Sequence, residues 1–160
     1  MHLVTSSLFL PSLVAYLTPR SQALLLRAYL STVLTWWVGR GRPALNIKSF
    51  MTSTPTQPAV PARDGETKTS TEGHDNPFLP ILQSAILHPN DHLPKIQRSF
   101  AHFSALYGRR PTGFFKDTEL EGAELLDGSL FVRAAVLTMD YVGWVREGQQ
   151  ARMWHLGGFF

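Results

Sequence analysis

Two histidines, an aspartate, a lysine and an arginine fall within His88-Pro89-Asn90-Asp91-His92-Leu93-Pro94-Lys95-Ile96-Gln97-Arg98, between apolar segments on both sides. A pair of imidazoles on one corner can share a metal ion. A carboxylate beside them can orient a ring, and an ammonium can bind substrate oxygen or steady a developing oxyanion. The prolines give the stretch a shape. Pro89 lacks an N–H and clashes with the turn before it, so a helix arriving from Ile81 stops or kinks near His88. Asn90 or Asp91 is a natural N-cap for the next helix, and Pro94 falls in a first turn whose N–H groups lack partners anyway. His88 therefore closes one helix, His92 opens another, and the two rings are expected to face each other across the corner. The same residues also have plainer roles. Histidines at helix ends often only cap or hydrogen-bond, Lys95 and Arg98 can form an ordinary solvated face, and the spacing alone does not make a metal site.

Around this corner the pattern is helical. At about 100° per residue, Ile96, Phe100, Phe103 and Tyr107 cluster on one side and form the expected buried stripe, with His92 and Ser99 at its border. Asn76-Pro77 reads as cap followed by first helical residue, opening a helix through Leu87. Thr18-Pro19 repeats that start, for a helix running to about Val38 that Gly39 and Gly41 terminate. Arg40 and Arg42 lie at its negative end, where neutralising the helix dipole outweighs binding a cofactor phosphate. Residues 3 to 17 form a helix kinked around Pro11, and Ala44 to Phe50 a short one. A last long helix starts at Gly128 or Ser129 and ends at Gly148. Thr52 to Asp75 is rich in threonine, proline, serine and charge, and is expected to be disordered, with His74 solvated in its tail. Glu119, Glu121 and Glu124 form a solvated acidic face. The apolar tail, Met153 to Phe160, is expected to dock on the helices or cover a surface.

Composition narrows the function classes. The chain has 160 residues, 44% of them apolar, enough for one domain with a core. There is no cysteine, which removes disulfide scaffolds, thiolate metal sites and cysteine nucleophiles together. Net charge is +3, without a basic stripe interleaved with aromatics, so nucleic acid is not an expected partner. No nucleophile elbow, Walker A sequence or dinucleotide glycine motif occurs. Residues 1 to 39 are strongly apolar, but no positive charge precedes the apolar run, and Arg20 and Arg27 break it. Buried core helices are expected there, rather than a signal or a membrane span.

His88 to Arg98 resembles the H-P-x-D-H-x-x-K-x-x-R signature of the questin oxidase-like family. Other segments fit in the family's order: His2 to Ser7, Trp36 to Pro43, Asn76 to Ile81, Glu124 to Gly128 and Gly143 to Gly148. The resemblance implies an oxidoreductase of secondary metabolism that opens a quinone ring of an aromatic polyketide. The reaction would be an oxygen-dependent, Baeyer–Villiger-type monooxygenation with NADPH as reductant. It also implies that the chain matches the C-terminal portion of longer proteins, as a fragment or reduced descendant lacking upstream ligands. A non-haem iron centre would account for the histidines, with His88 and His92 as ligands and His2 as a third. Lys95 and Asp91 are then the catalytic candidates, and Arg98 an ion-pair partner.

The sequence thus leads to an all-α chain: a single helical domain over residues 1–160, with five or six helices and a disordered insertion at about 52–75. The early apolar pair would sit at its centre, and the His88–Lys95 stretch beside a pocket. The expected function is a cytoplasmic questin oxidase-like oxidoreductase acting on an anthraquinone-like small molecule. The first alternative is a truncated, catalytically incomplete helical binding or interaction protein derived from that family, and the second a membrane-associated helical protein using residues 3 to 39.

Overall fold

Proline and glycine set the helix boundaries in the computed structural model, which describes residues 1–62 and 75–154. Among these residues the chain is all-α, without a β-strand. They fall into two units, Met1–Leu45 and Asn46–Trp154.

The first unit holds α1 (His2–Ser7), α2 (Leu10–Val14) and α3 (Pro19–Gly39). The expected kinked helix is two short ones, broken at Leu8 and Phe9, and Pro11 lies in the first turn of α2, where its missing N–H costs nothing. Thr18 caps α3 by accepting the Ser21 N–H at 3.4 Å. The Gln22 amide ties the turn together, donating to the Val14 and Leu17 carbonyls at 3.0 Å each. The Tyr29 hydroxyl donates to the Leu3 carbonyl and draws α1 against α3. Gly41, at φ +82°, ends the helix as expected. These helices are not the buried centre of the fold. None of them contains a buried residue. The reason is geometric: α1 and α2 shade only the Gln22, Leu25, Tyr29 and Val33 side of α3, which is half-buried, and among the described residues the unit has no third layer for the other sides.

The second unit holds α4 (Ile47–Ser53), α5 (Phe78–Leu87), α6 (His92–Tyr107), a 3₁₀ turn at Ala123–Leu125, α7 (Leu130–Val142) and a second 3₁₀ turn at Val145–Glu147. Ile81 and Ala85 from α5, Leu93 and Ile96 from α6, and Ala135, Val136, Met139 and Val142 from α7 meet Trp144 in the main core. Ile47, Met51, Ala123 and Leu126 make a smaller one. The stripe on α6 is rotated from the expected one: Leu93 is fully buried, whereas Tyr107 is exposed. Tyr107 lies at the outer edge of an aromatic group with Phe103 and Phe131, ring centroids 5.8 to 6.4 Å apart.

The segment expected to be disordered begins with structure. Thr52 and Ser53 are helical, Thr54 and Pro58 are buried, and Val60 packs on the main core. The Arg133 guanidinium donates to the Thr54 carbonyl and holds the irregular segment in place. The remainder, 63–74 with His74, lies outside the described residues, as do 155–160 of the apolar tail. Trp154 at the start of that tail is half-buried against the main core.

The last helix ends at Val142 and not at Gly148, because Gly143 adopts φ +97° and ψ 140°, a region open essentially to glycine alone. This turn sends Trp144 back into the core at 1% exposure, its indole N–H donating to Asp140 at 2.9 Å. Gly148 has φ +94° and ψ 1°, the milder left-handed region. A Cβ at Gly143 would lie 2.5 Å from the Gln150 carbonyl oxygen, whereas one at Gly148 would meet nothing within 4 Å. Denaturant titration should therefore separate the two substitutions. Gly148→Ala is expected to cost about 1–2 kcal/mol, and Gly143→Ala more than about 3 kcal/mol.

Candidate functional site

The corner forms as the prolines require. His88 ends α5 in extended backbone (φ −72°, ψ 135°), the conformation that a following proline imposes. Asn90 then starts α6: its side-chain oxygen accepts the His92 N–H at 3.0 Å and its carbonyl accepts the Leu93 N–H at 3.0 Å. Asp91 is the residue just before the helix and makes no capping bond with its side chain. The cap is therefore Asn90's, by an Asx turn. Pro94 lies in the first turn of α6.

The two imidazoles do not share one environment. His88 is 6% exposed and turns inward. Its Nδ1 accepts the Asn90 N–H at 3.1 Å, which assigns the ring hydrogen to Nε2, 3.3 Å from the Val142 carbonyl oxygen at the end of α7. One neutral ring thus ties the α5–α6 corner to the terminus of a third helix. His92 turns outward, its side chain 38% exposed, with Asn90 Oδ1 at 3.0 Å and Asp91 Oδ1 at 2.9 Å from Nδ1. Two acceptors converging there place the hydrogen on Nδ1, so any ligand role of His92 falls to Nε2.

Asp91 is the hub of the outer face. Its second oxygen accepts from the Lys95 ammonium at 2.7 Å, one helical turn on. The Lys95 hydrogen bond, followed by the charges of Lys95 and His92, holds the Asp91 carboxyl below its ordinary value. Lys95 is 55% exposed at the side chain. The outer face therefore carries an imidazole, a carboxylate and an ammonium in one hydrogen-bonded row. Arg98 is exposed and makes no ion pair among the described residues, contrary to its expected role. His2 stands exposed at the start of α1, in the first unit.

A sequence profile of the questin oxidase-like family matches residues 1–100. The chain belongs to the questin oxidase-like family. The match takes in the whole corner and both residues of the Asp91–Lys95 pair. The two later segments that resemble the family, Glu124 to Gly128 and Gly143 to Gly148, lie beyond it. Neither the curated proteins nor the solved structures contain a match to this questin oxidase-like chain.

The fit of an iron centre to this family member can be judged from the donors. His88 would have to give up the Asn90 N–H or the Val142 carbonyl before either nitrogen could bind a cation. Lys95 is committed to Asp91 as an ammonium, which repels one. Among the described residues no group of three or more His, Cys, Asp or Glu is placed to hold a metal ion. The residues as arranged do not fit the group.

Two polar residues of the interior carry no clear motif. Gln97 is fully buried and donates from Nε2 to the Ala135 carbonyl at 3.0 Å, cross-linking α6 to α7. Its position four residues after Leu93, on the same helix face, is the signal that marks it as inward-facing. Glu147 is 9% exposed, with Arg146 at 3.8 Å, and no periodicity announces it. Two measurements check the site. His88→Ala leaves the Asn90 N–H without its partner and a void at a buried side chain, while the Val142 carbonyl keeps the Arg152 N–H, so it should lower stability by about 1–3 kcal/mol in thermal or chemical unfolding. The Asp91 carboxyl should titrate, by NMR, below the ordinary value of 3.8, and move back towards it in Lys95→Ala. Because its folded value is depressed, the stability its pairing contributes is complete above that ordinary value and disappears as pH falls through the folded one.

Proposed function

We propose that this chain is an oxidoreductase of the questin oxidase-like type, acting on an anthraquinone-like aromatic polyketide in secondary metabolism. The observation that carries the reading is the family match over residues 1–100, which contains the His88–Arg98 signature entire. The overall change is insertion of one oxygen of O₂ beside a ring carbonyl, the other leaving as water, with NADPH supplying the two electrons. Baeyer–Villiger-type insertion turns the ketone into a lactone, which hydrolysis opens. On this reading Lys95 presents its ammonium to the substrate's carbonyl or phenolate oxygen, where negative charge builds as the ring is attacked. Asp91 positions that ammonium through the 2.7 Å bond and also orients the His92 ring. His88 has a different duty: it holds the corner on which the other three are mounted. The reaction and these roles rest on family membership, and the cytoplasm is the compartment proposed with them. No helix among the described residues is long and apolar enough to cross a membrane.

A second reading is supported by the occupied state of His88. A chain whose most buried imidazole is bonded at both nitrogens, with no third ligand among the described residues, suits a catalytically incomplete helical binding protein derived from the family. Anaerobic and aerobic incubation of the purified chain with questin-type anthraquinones and NADPH, followed by mass spectrometry, separates the two. Oxidoreductase action predicts an oxygen-dependent gain of one oxygen atom and NADPH consumption, reduced about 10- to 100-fold in Lys95→Ala. Binding of the anthraquinone by fluorescence titration without turnover in air would establish the second reading.

A further inference from the structure

Every charged side chain of the first unit has the same sign. Met1–Leu45 contains Arg20, Arg27, Arg40 and Arg42 and no Asp or Glu; all 12 acidic residues of the chain lie beyond it, the first at Asp64. The unit is also apolar on its surface. On α3, Leu26, Leu30, Leu34, Trp37 and Val38 fall within one third of the helix circumference, and all five are exposed, Leu30 at 58% and Val38 at 56%. Arg20 and Arg27, seven residues apart, lie on the Val38 border of that stripe and are exposed, and Arg42 is exposed just past its end. A run of large apolar side chains of this extent is more than a free surface ordinarily shows, and it calls for a partner.

We infer that the first unit docks on an anionic phospholipid surface, laying the Leu26–Val38 stripe of α3 into the headgroup–acyl boundary while its arginines meet lipid phosphates. Charge decides between occupants. A second copy pairing through this same unit would bring four more arginines and no carboxylate against the stripe, setting like charges together where the interface must desolvate them. A lipid surface supplies both complements at once, acyl chains for the leucines and phosphate for the guanidiniums. Trp36 and Trp37 are the side-chain type that settles at that boundary, and the long arginine stems let their heads rise to it from the edge of the apolar face. The mode is attachment along the surface. α3 carries Arg27 in its middle and is not apolar enough to span.

Vesicle co-sedimentation of the full chain tests this, using phosphatidylcholine alone and phosphatidylcholine with about 30% phosphatidylserine. The expected result is binding to the anionic vesicles, at least ~10-fold weaker with the zwitterionic ones and weakened again by 0.5 M salt. Arg20→Gln with Arg27→Gln should lower the partition coefficient about 10-fold or more, and Leu30→Gln with Leu34→Gln should abolish binding. All four positions are exposed, and circular dichroism of each variant establishes that the helices persist. Equal binding to both vesicle types overturns the inference, as does no binding to either. It is equally overturned by a stable dimer in sedimentation equilibrium that the Leu30→Gln, Leu34→Gln variant converts to monomer, with vesicles leaving the dimer intact.

Discussion

The buried imidazole of His88, at the end of α5, hydrogen-bonds both the start of α6 and the end of α7. Pro89 forces the chain out of α5 and denies it a helical continuation, which leaves the half-buried Asn90 N–H unpaired within the protein unless a side chain reaches back. The ring does so through Nδ1, and the hydrogen this assigns to Nε2 points at the Val142 carbonyl. That carbonyl belongs to the last residue of α7, where Gly143 ends the helical pattern and the Arg152 N–H, returning from the following segment, also donates to it at 2.7 Å. A single neutral ring thus satisfies an orphan donor at one helix corner and adds a second donor, beside the Arg152 N–H, to the carbonyl at another helix end. Few side chains have a donor and an acceptor fixed on opposite sides of a rigid plane, and this geometry is a sufficient reason for histidine at position 88.

The second unit extends the same economy through its polar interior. Gln97 bonds the Ala135 carbonyl across α6 and α7, and Trp144 reaches Asp140 with its indole N–H while its ring fills the core. Each bond crosses between segments that apolar packing alone would let slide, since the core of Ile, Leu, Val and Met imposes little directional preference. In the first unit directional bonds are present without such a core: Tyr29 and Gln22 fix α3 to its neighbours, yet no residue there is buried. Stability in that unit depends on hydrogen bonds exposed to water and on whatever covers its apolar side chains.

Punctuation was legible in the sequence, and burial less so. Thr18-Pro19, Asn76-Pro77, Pro89 and Gly41 act where their chemistry says they must, since a missing N–H or a permitted positive φ is a property of the residue itself. Which face of a helix is inside depends on neighbours that arrive from elsewhere in the chain. Hence Leu93 replaces Tyr107 in the core of α6, and the apolar residues of α3 stay outside although composition alone suggests a buried helix. Pro58 and Val60 were lost among threonines and serines for a related reason: a few apolar contacts and one guanidinium to the Thr54 carbonyl order a stretch whose average composition argues against order. At the corner, residue types and helix ends were readable, but the opposite orientation of the two imidazoles was not. It is decided by the distant carbonyl of Val142.

That opposition divides the labour of the family signature. H-P-x-D-H-x-x-K read as a string suggests one cluster of donors, yet the corner sends its first histidine inward and its aspartate, second histidine and lysine outward. Helical spacing explains the outer set: Asp91 and Lys95 are four apart and His92 adjoins them, so the three can meet without help from any other element. Such a row is exposed and held by hydrogen bonds that water weakens, which suits groups that must exchange one partner for another. The inner histidine has no such freedom, since its ring is buried and releasing Nδ1 strands the Asn90 N–H. A substitution at His88 therefore reaches the outer row only by moving the corner that carries it, and loss of function there reports on architecture before it reports on chemistry.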